Sequence, residues 1–188
     1  MPNSAAMITL FALVAVAQQP QTKHATSQNP PAATQSSLAS ALKTNDDAKQ
    51  ATLALKKLQA KTEIGISQED YSRALGDTYF SVKLFLDSDV ASSAPEFSQA
   101  LQGAIGWYKA AGRLWDIKTT VESAHLPGLS LTWADCSDNP SDDQDLCKEY
   151  PGLVTDHSGK RGINYDNALP EAWRLASVQI RNADKYLK

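Results

Sequence analysis

With 188 residues, 42% of them hydrophobic, and a formal net charge of −3, the chain holds enough apolar material for one ordinary core and too little charge to act as a polyelectrolyte. No basic stripe interleaved with aromatic residues occurs, so no nucleic-acid partner is expected. Two cysteines and three histidines leave few side chains for thiol, haem or metal chemistry.

Residues 1–17 read as a signal peptide. Ala5 to Ala17 (AAMITLFALVAVA) is an apolar run of about thirteen residues, short of the ~20 that span a bilayer. It ends in the small-x-small triplet Ala15-Val16-Ala17, which places cleavage before Gln18. Met1 to Ser4 carries no Lys or Arg, so the amino terminus alone supplies the usual positive charge, and the competing reading is an apolar helix packed on the domain. Residues 18–43 are expected to be a disordered tether. Gln18 to Ser37 (QQPQTKHATSQNPPAATQSS) lacks the large apolar groups that would offset the entropy of ordering it. The expected location is the periplasm or the extracellular space, with no stable membrane span after cleavage.

The domain is expected over residues 44–188. Thr44 followed by Asp47 reads as a capping box that opens a first helix. Its apolar stripe is Ala51, Leu55, Leu58 and Thr62, and Lys49, Lys56, Lys57 and Lys61 form a solvated face. Gly65 breaks the pattern, and Ser67 with Asp70 starts a second helix, Ile66 and Tyr71 standing where a hydrophobic staple would. Tyr71, Leu75, Thr78, Tyr79, Val82, Phe85 and Leu86 recur at three and four, a core stripe rather than a cofactor box. Ser92, Ser93, Pro95 and Glu96 mark the next boundary. The third helix then carries Phe97, Leu101, Ala104, Tyr108, Ala111 and Trp115 on one stripe. Gly103, Gly106 and Gly112 each cost about 1 kcal/mol relative to alanine, which predicts close packing against them.

Pro127-Gly128 closes that helix, and an irregular acidic loop is expected over about 126–167, where loops of such length are functional or tied down. The last helix is expected from near Pro170, with Leu169, Trp173, Ala176, Ile180, Ala183 and Leu187 on one face. Short connections make the first three helices antiparallel neighbours. The expected fold is all-α, an antiparallel four-helix bundle with a long disulfide-tied loop between helices 3 and 4.

In an exported chain, Cys136 and Cys147 are most simply a disulfide, and the C-x-x-C spacing of a redox pair is absent. The acidic loop offers Asp135, Asp138, Asp142, Asp143 and Asp145, hard oxygen ligands suited to calcium. Their spacing fits no EF-hand register, so solvated acidity is the default and no metal site is assigned. Glu122 and His125 form one E-x-x-H pair where a di-iron bundle needs two. C-x-x-C-H is missing, so no cofactor is expected. Neither Gly65-Ile66-Ser67 nor Gly128-Leu129-Ser130 completes G-x-S-x-G.

The segment Gly65-Ile66-Ser67, Asp70-Tyr71 and Leu75-Gly76-Asp77, leading into Phe80, Val82, Phe85 and Leu86, resembles a group of uncharacterised exported bacterial proteins. The resemblance implies a bacterial, periplasmic, helical protein and brings no activity with it. The preferred function is a module that binds a protein or small-molecule partner. The alternative is an enzyme with a site between the bundle and the 126–167 loop, using His125 or His157 with Asp135 or Asp156.

Overall fold

The computed structural model describes residues 40–124, 133–136 and 147–188. The expected signal peptide, most of the expected tether, His125 and the loop aspartates Asp138, Asp142, Asp143 and Asp145 lie outside the described residues. The folded domain begins ahead of residue 44: a helical turn spans 40–44 and buries Leu42 completely.

After it, the described residues hold five α-helices of five residues or more and three short strands. Helix α1 (Asp46–Ile64) is capped by Asn45, whose side-chain oxygen accepts from the Ala48 amide at 2.8 Å. Thr44 is not the cap, because it belongs to the preceding turn and donates its hydroxyl back to the Ser40 and Ala41 carbonyls. Gly65, at φ 92° and ψ 136°, takes a positive-φ conformation that side chains disfavour and ends α1. Helix α2 (Gln68–Leu86) starts as the sequence predicts. The Ser67 hydroxyl accepts from the Asp70 amide and donates to the Asp70 carboxylate, while Tyr71 is buried and Ile66 packs on the core.

A one-turn helix, α3 (Asp89–Ser93), occupies the expected boundary. Helix α4 (Pro95–Ala124) then begins with Pro95 at its first position, where a missing amide costs nothing. Ser98 fastens the two together by donating to the Ala91 carbonyl at 2.8 Å. Helix α5 (Tyr165–Asp184) starts five residues before Pro170. Asn164 caps it, accepting from the Asn167 amide at 3.0 Å, and Pro170 lies inside the helix.

The long helices pack in turn, α1 on α2, α2 on α4, α4 on α5 and α5 back on α1. Their buried stripes are Ala51, Leu55 and Leu58 on α1; Tyr71, Thr78, Val82 and Phe85 on α2; Phe97, Leu101, Ala104, Tyr108 and Ala111 on α4; and Ala168, Ala172, Ala176, Ile180 and Ala183 on α5. The alanines on α5 recur at four-residue spacing, so little side-chain bulk holds that helix away from its neighbours. Larger groups fill the rest, with the Phe85 and Phe97 rings edge to face at 5.1 Å. Tyr79 leaves the predicted stripe: it is 44% exposed, with the Lys109 ammonium 5.2 Å from its ring centre. Gly103 meets the Gln179 side chain and Gly112 meets Leu75 and Tyr71, as close packing predicts, but nothing lies near Gly106.

The stretch expected as an irregular loop is partly ordered into a sheet, which the all-α expectation omits. Strands β1 (Trp133–Asp135), β2 (Thr155–His157) and β3 (Lys160–Asn164) form an antiparallel sheet in the order β1-β3-β2. Ser158 and Gly159 both have positive φ and close a two-residue hairpin between His157 and Lys160. Leu153 and Ile163 seat this part on the helical core, and Trp107 of α4 packs on Tyr150 and Gly152. Among the described residues no helix is long and apolar enough to cross a membrane.

Candidate functional site

Cys136 and Cys147 are bonded, with alpha carbons 5.9 Å apart. Cys136 directly follows β1 and its amide donates to the Arg161 carbonyl at 2.9 Å, so the bridge ties residue 147 to the end of the β1–β3 pair. Of the five calcium candidates only Asp135 is described, half-buried on β1. Among the described residues no three His, Cys, Asp or Glu side chains are grouped to hold a metal ion.

Of the residues of the enzymatic alternative, the two acids do not come together on the sheet. Asp135 pairs with Gly162 and Asp156 with Arg161, neighbouring positions on β3 whose side chains alternate in direction, so the two acids stand on opposite faces. His157 ends β2. Glu122 is exposed and 3.8 Å from the Lys118 ammonium, which also reaches Asp166 at 2.5 Å; the Asp166 bond raises the Lys118 pKa. Glu122 thus belongs to a surface ion cluster.

A group of buried hydroxyls and aromatic rings lies between α1, α2, α4 and α5. Tyr71 donates its hydroxyl to the Tyr108 carbonyl at 2.7 Å and accepts from the Trp173 indole at 3.4 Å. Trp115 completes an aromatic triad, its ring centre 5.6 Å from Tyr71 and 5.9 Å from Trp173. The Tyr108 hydroxyl is buried and closes no hydrogen bond. Thr62 and Ser177 face it, but they give their protons to the Gln59 and Trp173 carbonyls. Burial raises both phenols far above the usual tyrosine range. Of the two, Tyr71 serves as a structural donor, to the Tyr108 carbonyl.

Grooves follow the seams between helices. One of about 310 Å³ includes Lys61, Ser67, Asp70 and Arg73, and one of about 530 Å³ includes Glu96, Gln179, Lys185 and Tyr186. Several of their polar groups are already paired. Ser67 caps α2 on Asp70, Arg73 pairs with Glu69 and Asp70, and the Tyr186 hydroxyl donates to Glu96.

The outward face of α2 differs from these. Phe80 is 64% and Leu84 50% exposed, one helical turn apart. Gly76 continues the same line a turn earlier, with no atom within 4 Å of where a side chain would start. Exposed Arg73, Asp77, Lys83 and Asp87 flank the line. The periodic reading assigned the core stripe of α2 and passed over this ridge. The available signal was Phe80 and Leu84 at a spacing of four, outside that stripe. No family model, curated protein or solved structure matches the chain.

Proposed function

We propose that this chain is an exported bacterial protein whose helical domain, an antiparallel four-helix bundle, works by binding a partner through the outward face of α2. The observation that carries the reading is the Phe80–Leu84 ridge, two large apolar side chains held in water on a rigid helix. Full burial of such a side chain is worth about 1.5–3 kcal/mol, and paired exposed apolar groups with a charged rim mark contact surfaces more often than isolated ones do. The Cys136–Cys147 bridge supports an oxidising compartment, in keeping with the apolar leader and its Ala15-Val16-Ala17 end. Periplasmic or extracellular release follows from that reading.

The test is photo-crosslinking in the producing cells, with a photoreactive residue at position 80 or 84 and, as a control, at the exposed α5 position Arg174. A discrete adduct is expected from 80 and 84 and none from 174. No adduct from either α2 position, or equal labelling from 174, would remove the reading.

A further inference from the structure

We propose that the seam between α1 and α2 binds an anionic amphiphile with one alkyl chain. The chain lies along the groove, and Lys57 and Lys61 hold its carboxylate or phosphate head. The groove has a volume of about 420 Å³, within the ~300–1,000 Å³ of small-molecule sites. Neither Phe80 nor Leu84 lines it, so this site is separate from the contact ridge of α2. It continues into the smaller groove beside the α1–α2 turn, with which it shares Lys61, Ala74 and Asp77.

The lining selects the shape of the ligand. From Gln50 to Lys61 the groove follows three turns of α1, about 16 Å of helix. Spread over that length, the volume leaves a channel about 5 Å across, room for one extended alkyl chain. Leu53, Ala54, Leu58, Ala60 and Ala74 make it apolar without any aromatic ring, so a flat ligand has nothing to stack on. The Thr78 and Ser81 hydroxyls donate to the Ala74 and Asp77 carbonyls at 2.7 and 3.1 Å. Both walls are helices, so an extended peptide finds no strand edge to pair with. An alkyl chain needs neither rings nor backbone partners.

The lysines select the head. Among the described residues, Lys49 pairs with Asp46 and Lys56 with Asp184, whereas Lys57 and Lys61, one turn apart on the groove, make no ion pair. Two ammonium groups at the same opening without a counter-charge suit one carboxylate or phosphate. Asp77 is the single acid among the residues that line the groove. The lining therefore keeps a net positive charge, and Asp77 opposes the head.

Isothermal titration calorimetry of the purified protein with sodium dodecanoate, dodecyl phosphate and dodecyltrimethylammonium tests the proposal. The anions should saturate one site, and the cation should bind at least about tenfold more weakly. The tighter of the two anions identifies the head as a fatty-acid carboxylate or a phospholipid-type phosphate. Octanoate should bind about tenfold more weakly than dodecanoate, as for a chain half-buried along its length. Lys57→Gln and Lys61→Gln should each weaken dodecanoate about two- to fivefold, and Asp77→Asn should tighten it by a similar factor. Lys49→Gln and Phe80→Ser should leave it unchanged. Amide NMR shifts on saturation should gather on residues 50–61 and 74–81. Circular dichroism confirms that each variant, and the saturated protein, is folded.

No binding of either anion, equal binding of the cation, or octanoate as tight as dodecanoate would overturn the proposal. Weaker binding by Asp77→Asn would overturn the anionic head, and shifts that gather on α4 and α5 would overturn the place. Loss of binding in Phe80→Ser would move the ligand to the ridge and overturn the seam.

Discussion

Replacing Gly103, Gly106 and Gly112 by alanine one at a time probes how α4 packs, because one chemical change meets three surroundings. Alanine is better than glycine in a helix interior by about 1 kcal/mol. At Gly106 the new methyl meets nothing within 4 Å, so nearly the whole gain should appear, about 0.5–1 kcal/mol. At Gly103 it comes 3.2 Å from the Gln179 side chain, which is half-buried and flexible enough to swing aside, leaving a gain of about 0–0.5 kcal/mol. At Gly112 it would stand 3.3 Å from Leu75 and 3.5 Å from the Tyr71 ring. That ring is pinned by its hydrogen bond to the Tyr108 carbonyl and by Trp115 and Trp173. Overpacking of about 1–3 kcal/mol then offsets the helix gain and gives a net loss of up to about 2 kcal/mol. Urea unfolding followed at 222 nm, with a common slope for the three variants, measures the differences. Equal shifts for all three, or a Gly112→Ala variant as stable as Gly106→Ala, would refute the packing argument.

Three further outcomes follow from the same structure. Tyr71→Phe should cost about 1–2 kcal/mol because the Trp173 indole and the Tyr108 carbonyl both lose a partner, whereas Tyr108→Phe should be neutral or stabilising because its buried hydroxyl closes no hydrogen bond; the same urea series reads both. Replacing Cys136 and Cys147 together by serine should cost roughly 3 kcal/mol by the chain-entropy estimate, yet leave helical circular dichroism intact, since the apolar stripes of α1, α2, α4 and α5 lie outside the bridged segment. The bond from Lys56, helped by Lys188, holds the Asp184 carboxyl below its ordinary 3.8. Its contribution is therefore present above that value and is lost as pH falls through the depressed one. Asp184→Asn should lower stability at pH 7 by less than about 1 kcal/mol, because Lys56 is 45% exposed, and should make no difference near pH 2.

The helices were legible where their signals are local. Ser67 and Asp70 cap α2 within four residues, Pro95 sets the first position of α4, and the core stripes repeat at three and four. Where a local signal had a rival, the reading slipped. Pro170 looked like a helix start, but Asn164 had already capped α5 and the helix tolerates the proline inside it. Thr44 looked like a cap, but Asn45 supplied a better acceptor one residue on. The sheet escaped notice because its strands are three to five residues long, too short for alternation to stand out, and only the Ser158-Gly159 turn advertised the hairpin. The disulfide followed from the cysteine count and the expected compartment. The α2 ridge did not, because Phe80 and Leu84 mean something only once the buried side of the helix is known.

The account stands on α2 as the contact surface of this domain, and a scan of photo-crosslinking positions along the exposed side of α2 in the producing cells tests that most directly. The prediction is adduct yield that peaks at Phe80 and Leu84 and falls away at Ser72 and at Arg174 of α5. No adduct from α2, or a yield as high from Arg174, would contradict it.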